Sequence, residues 1–245
     1  MGLRFFVIIL SSAFFVLFQA IPTANDMIAH KDCFSEKQRY RYACVIMDYL
    51  RRRSRTETES YGKELLPKRQ NFILYSNHQG KYDALGILLS LDQPCSVLWE
   101  HKSAGRVLTR QVVGLLDCVT INLSDMRAKG KAIIDVIQRV KKGKNFLIFP
   151  EGTYGKNHNH LQEFQSGCFT CSIKTRTPIV PVAIYDTYKS MNGNRLKRVK
   201  NQVYFLEPIY YEEYRGLNKK EIAKLVKQRI DHKLREIDEM KEKNR

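Results

Sequence analysis

His78 follows the short apolar run Ile73-Leu74-Tyr75-Ser76 and the polar Asn77, and Asp83 stands five residues further on, with Gly80 between them. An imidazole and a carboxylate are what a chain needs to take a proton from a hydroxyl: the carboxylate fixes one ring nitrogen as a donor and leaves the other free as a base. On a continuous helix five residues would turn Asp83 about 140° away from His78. The two meet only if His78 lies in a turn and Asp83 in the first helical turn after it, and Gly80 makes that turn easy. A lone pair of this kind also fits a histidine that merely caps a helix. A second stretch, Phe149-Pro150-Glu151-Gly152-Thr153, again sets a polar, glycine-containing turn directly after an apolar run. In an open α/β sheet, turns after the strands lie at the carboxyl edge, where ligands bind.

The elements that must position these turns are legible as a rhythm. Short runs rich in β-branched and aromatic residues at 71–76, 95–100, 118–123, 145–150, 178–185 and 202–207 read as buried strands. Helical patterns at 84–91, 104–116, 126–142 and 163–175 lie between several of them. Strand alternating with helix predicts an α/β fold, a mostly parallel central sheet flanked by helices. Residues 34–53 carry a looser helical pattern, and 54–70 reads as a polar connector. At the far end Asn218 and Glu221 open a helix whose stripe is Ile222, Val226, Ile230, Leu234 and Ile237, predicted to lie on the domain. The expected layout is an N-terminal membrane anchor over 1–22, a helical segment and connector over 23–69, a catalytic domain over 70–217 and a C-terminal amphipathic helix over 218–245.

Phe5 to Phe18 contains no charge and is preceded by Arg4. A cleaved signal peptide is the competing reading, but neither Ala20 nor Ala24 has a small residue two positions upstream, so an uncleaved anchor is expected. The formal charge of +17 predicts an anionic partner, whether lipid, nucleic acid, acidic carrier protein or phosphorylated metabolite. The run Arg51-Arg52-Arg53-Ser54-Arg55 fits an ordinary solvated face and, beside an anchor, also a hold on anionic lipid. The six cysteines lie scattered in apolar segments, which suits thiols in a reducing compartment and a catalytic domain on the cytoplasmic side of the membrane. His158, His160, Cys168 and Cys171 fit no common structural zinc spacing, and no metal is expected.

With both turns in view, the chain resembles the glycerolipid acyltransferases typified by 1-acylglycerol-3-phosphate (lysophosphatidate) acyltransferase. Asn77, His78 and Asp83 match the family's Asn-His-four-residues-Asp motif, Phe149 to Thr153 its Phe-Pro-Glu-Gly-Thr motif, and Ile179-Val180-Pro181-Val182 its Val-Pro-Val strand. The resemblance covers roughly Asn71 to Lys220. It implies His78 as general base, Asp83 as its orienting partner, and backbone N–H groups at the start of the Asp83 helix as donors to the oxyanion. It implies substrate binding by Asn77, Glu151, Gly152 and Thr153. It also implies an acyl-CoA or acyl carrier protein donor, a lysophospholipid acceptor and no cofactor beyond the donor.

Two motifs depart from the pattern. The arginine after Glu-Gly-Thr is Tyr154, and the family's glycine-led strand ending in arginine aligns with residues 117–123, where Asp117 takes the glycine position and Leu123 the arginine position. Those arginines bind the acceptor phosphate in the family, and their planar fork suits it. Arg127 and Lys156, with Lys102 and Arg106 behind them, are the candidate replacements. The acceptor implied is 1-acylglycerol-3-phosphate; a different lysolipid, or hydrolysis with His78 activating water, stays open. A nucleic-acid-binding module would explain the charge but neither the anchor nor the paired turns, and the basic residues are dispersed without a recognition helix.

Overall fold

In this computed structural model, which describes residues 3–191 and 197–243, the chain opens with two nearly continuous helices, α1 (Leu3–Phe15) and α2 (Ile21–Ala29). A π-helical turn at Val16–Ala20 joins them just before Pro22, whose missing N–H and bulky ring disturb the regular ladder there. Ile8, Ser12, Val16, Ala20, Ala24 and Met27 form the buried stripe, while Phe6, Leu10, Phe14 and Phe18 on the other side are exposed. The segment Phe6–Ala29, 24 residues, is long and apolar enough to cross a membrane. The apolar segment expected to end at residue 22 therefore runs on as helix to Ala29.

Helix α3 (Glu36–Arg53) starts after a capping box in which Gln38 N–H donates to Ser35 Oγ and the Ser35 N–H donates to Gln38 Oε1. The remaining elements are β1 (Thr56–Tyr61), β2 (Ile73–Ser76), α4 (Asp83–Leu89), β3 (Ser96–Glu100), α5 (His101–Ala104), α6 (Thr109–Leu115), β4 (Val119–Ile121), α7 (Met126–Lys141), β5 (Phe146–Ile148), α8 (Thr170–Thr175), β6 (Ile179–Tyr185), α9 (Tyr188–Met191), β7 (Val199–Phe205), α10 (Tyr211–Tyr214) and α11 (Lys219–Lys243). They build a seven-stranded sheet in the order β1-β7-β6-β2-β5-β3-β4. Its pairs are parallel except β6 with β7, so β1 and β7 run opposite to the other five strands.

Two expectations are corrected. The polar connector contains β1: Thr-Glu-Thr-Glu-Ser-Tyr has no apolar face, yet it pairs residue for residue with β7 as an edge strand, where charged side chains are suited to solvent. Residues 163–165 are not helical, and α8 begins only at Thr170 after a 3-10 turn over Ser166–Phe169.

The strands feed two cores by alternation. Leu74, Leu147, Val180, Val182 and Ile184 face the side covered by α1 to α4 and α6. Ile73, Tyr75, Phe146, Ile148, Ile179 and Ala183 face the side covered by α7, α8 and α11. The stripe Ile222, Val226, Ile230, Leu234 and Ile237 of α11 is buried in that second core, as its spacing predicted.

Candidate active site

The turn after β2 is built from its backbone outward. The Asp83 carboxylate, fully buried at the start of α4, accepts on Oδ2 from His78 Nδ1–H at 2.7 Å, from the Gln79 N–H at 2.5 Å and from the Gly80 N–H at 2.8 Å. A carboxylate opposite Nδ1 fixes the tautomer that leaves Nε2 as acceptor. Asp83 Oδ1 is buried with no hydrogen-bond partner among the described residues. The imidazole lies stacked on Phe149 at 4.2 Å and edge-to-face with Tyr154 at 4.7 Å, and the His78 side chain keeps 17% of its surface exposed. The ring is held on three sides and remains reachable.

The neighbours of His78 are equally fixed. Asn77 Nδ2–H donates to the Ile184 carbonyl at 3.0 Å and its Oδ1 accepts the Ile184 N–H at 2.9 Å, which ties β2 to β6. The Asn77 amide, expected among the substrate-binding groups, is buried and both its ends are engaged by backbone. Gln79 bridges further, with Nε2–H groups donating to Ile184 O and Asn159 Oδ1 and its Oε1 accepting from the Thr187 N–H and hydroxyl. Asn159 in turn donates to Asp186 Oδ1 at 3.1 Å. Burial alone would raise the Asp186 carboxyl, but hydrogen bonds from Lys189, Asn159 and Lys241 outweigh it and hold it below the usual range. Of the oxyanion donors expected at the start of α4, the Gln79 and Gly80 amides are committed to Asp83 and the Asp83 amide to the Gly80 carbonyl.

Besides the Phe149 and Tyr154 ring contacts, the turn after β5 meets this one through the Glu151 carboxylate. Glu151 accepts the His78 N–H on Oε1 at 3.3 Å and a Gln162 Nε2–H on Oε2 at 2.7 Å. Burial pushes its carboxyl above the usual range, with Gln162 and the His78 amide opposing. Gly152 has φ +78°, the left-handed region that favours glycine, and a Cβ there would lie 3.8 Å from Leu123. The two family motifs that end in arginine elsewhere therefore meet in space here, around a leucine and a tyrosine. Beyond Gly152 the loop opens: Thr153, Tyr154 and Lys156 are exposed. Arg127, in the first turn of α7, is exposed too, and among the described residues neither Arg127 nor Lys156 forms an ion pair.

Asp117, at the family's glycine position, adopts the left-handed conformation that glycine would take easily, with φ +52°. Burial raises its carboxyl, but Lys31 at 3.2 Å, Arg139 at 3.2 Å and Lys144 at 3.3 Å outweigh burial and hold it below the usual range. Sequence reasoning missed Gln79, Asn159 and Gln162 as braces; the one signal was the density of amide side chains beside both turns. Among the described residues no three of His, Cys, Asp and Glu gather as metal ligands.

A mostly parallel sheet with a histidine and its carboxylate at the strand ends, tied to a second polar turn, defines an α/β enzyme working at its carboxyl edge. The acyltransferase family model matches residues 57–185, and the chain belongs to that family. A 1-acyl-sn-glycerol-3-phosphate acyltransferase of Escherichia coli is 31% identical over 191 residues, covering 76% of this chain and 73% of that protein. The protein of the same name from Borreliella burgdorferi is 25% identical over 181 residues, 72% of this chain and 71% of that one. The crystal structure of the 1-acyl-sn-glycerophosphate acyltransferase PlsC from Thermotoga maritima shares the fold, with a TM-score of 0.77 over 96% of this chain and 95% of that chain at 20% identity.

Proposed function

We propose that the protein transfers a fatty acyl group from an acyl thioester, acyl-CoA or acyl carrier protein, to the free hydroxyl of 1-acylglycerol-3-phosphate, giving phosphatidic acid. The observation that carries this reading is the 2.7 Å contact between His78 Nδ1 and the buried Asp83 carboxylate at the end of β2, in a chain of this family. In the reaction, His78 Nε2 accepts the acceptor's hydroxyl proton as the oxygen attacks the thioester carbonyl. Collapse of the tetrahedral adduct breaks the C–S bond, and the imidazolium returns the proton to the departing thiolate. Asp83 steadies the positive charge that the ring carries in between. Phe149 and Tyr154 hold the ring while the exposed loop from Gly152 to Lys156 lines the acceptor side.

Membrane attachment through the Phe6–Ala29 helix supports a lipid acceptor, and six free thiols support a catalytic domain on the cytoplasmic side. The relatives named for 1-acyl-sn-glycerol-3-phosphate support that acceptor. Leu123 and Tyr154 are where a different lysolipid preference would arise. Thiol release and lipid products followed together in detergent micelles test the reading. A diacyl product that disappears in His78→Ala is expected, whereas free fatty acid as the sole product would assign hydrolysis instead.

A further inference from the structure

The two reversed strands carry a feature that acyl transfer does not use. Because β1 and β7 run opposite to β2, β5 and β6, their starts lie at the sheet edge where His78 and Glu151 leave their strands. Four arginines gather there. Arg51 and Arg52 come from the last turn of α3, Arg55 from the link into β1 and Arg198 from the residue before β7; with Thr56 and Glu57 they line an open depression of about 600 Å³. Arg51 and Arg52 share Asp48, each at 2.7 Å, and Arg198 pairs with Glu57 at 3.0 Å. Arg55 is exposed and forms no ion pair among the described residues. Four guanidiniums thus face two carboxylates, and the side chains of Arg52 and Arg198 are each 74% exposed.

Arg55 is doubly unfavourable for folding. Its φ of +49° is in the left-handed region that glycine enters freely and other side chains enter at a cost, and its charge sits among like charges. A residue that strains the backbone and repels its neighbours marks a position shaped by something other than stability.

An apolar strip runs beside this cluster. Phe15 stacks on Tyr49 at 4.0 Å and the Tyr42 hydroxyl donates to the Gln19 carbonyl, so α1 lies antiparallel to α3 and its N-terminal half extends along the arginine end. Phe6, Leu10 and Phe14 on that half are 59%, 67% and 80% exposed. Apolar rings flanked by guanidiniums match a bilayer, where acyl chains meet phosphates within a few ångströms. A nucleic acid or an acidic protein would use the arginines, but the anchor helix that carries these apolar side chains sets the cluster beside a bilayer.

We propose that Arg51, Arg52, Arg55 and Arg198 form a docking site for the phosphate groups of anionic phospholipids in a bilayer, turning the edge that bears His78 toward the lipid surface. The inference rests on the membrane-attached reading above and adds to it the headgroup chemistry and the orientation.

The test moves purified full-length protein from neutral detergent micelles onto vesicles and measures partition by flotation. Vesicles of phosphatidylcholine alone are compared with vesicles carrying phosphatidylglycerol. Phosphatidylglycerol should raise partition of the wild type, and Arg55→Gly and Arg198→Gln should each lower that gain about fivefold, with partition onto phosphatidylcholine unchanged. Arg55→Gly should at the same time raise Tm by relieving the left-handed strain, so weaker binding cannot be attributed to misfolding. The proposal is overturned if the double variant keeps the wild-type response to phosphatidylglycerol, or if partition falls equally on both vesicles. It is also overturned if only an acidic carrier protein or an oligonucleotide loses affinity. His78-dependent transfer in neutral micelles, measured on the same samples, should be untouched by the arginine variants; its absence in wild type would end the transfer reading while the partition still decides this one.

Discussion

The two turns at the carboxyl edge of the sheet are alike in sequence position and opposite in construction. In the turn after β2, Asn77, Gln79 and Asp83 are buried and joined by side-chain hydrogen bonds to strand β6, to Thr187 and to the turn's own backbone. In the turn after β5, Glu151 is the buried polar side chain; Thr153 and Lys156 stand in solvent, Tyr154 is exposed apart from its edge on His78, and Gln162 supplies the support by donating to Glu151 and to the Thr153 carbonyl. The first is built to hold one imidazole in one orientation, as a base requires. The second is held at its root and free at its tip, as suits a loop that adapts to a headgroup. The departures from the family pattern at positions 154 and 123 lie at this second turn, and none lies at the first.

Substitutions can break this contrast, and the largest effect belongs to the first turn. His78→Ala should lower turnover by about 10²–10⁴-fold with little change in stability, read from product formation and thermal unfolding together. Asn77→Ala leaves the N–H of Ile184 without its partner in a buried place, while the Ile184 carbonyl keeps the Gln79 amide; denaturant unfolding should register a loss of about 1–3 kcal/mol. Glu151 joins the turns, and its pH behaviour sharpens the comparison. Its folded pKa lies above the unfolded one, so its contribution to stability is full below the usual glutamate value of about 4.3 and is lost as pH rises through the folded value. Glu151→Gln should therefore flatten the fall of Tm with pH above that point; an unchanged slope would mean the carboxyl is not penalised by burial. The smallest effect on stability belongs to the second turn's tip: Tyr154→Arg should shift unfolding by no more than about 0.5 kcal/mol while changing acceptor preference.

The same contrast explains what was readable in the sequence. The strands β2 to β7 are legible because apolar β-branched runs of four to eight residues have few other uses, and α11 because its stripe keeps helical spacing. His78 with Asp83 is legible from spacing and glycine. β1 is not, since its partner strand supplies the pairing that its own Thr-Glu alternation does not advertise. The braces Gln79, Asn159 and Asp186 are not legible either. They lie up to 108 residues from the groups they bond, as in Thr187 N–H to Gln79 Oε1, and only the closed sheet edge brings them together. Asn77 and Glu151 stand out as motif residues, but their burial and their hydrogen bonds to Ile184, to the His78 amide and to Gln162 do not. Arg127 and Lys156 are cations at the right place in the order of elements, while the structure leaves their side chains in solvent.

The most direct test compares kcat/KM for 1-acylglycerol-3-phosphate and for a monoacylglycerol lacking the phosphate in wild type, His78→Ala and Tyr154→Arg. The account predicts that His78→Ala lowers both values by the same large factor, leaving their ratio unchanged, and that Tyr154→Arg changes the ratio toward the phosphate-bearing acceptor. A His78→Ala protein that still forms diacyl product at the wild-type rate, or a Tyr154→Arg protein that alters both acceptors equally, would contradict the division of labour between the two turns.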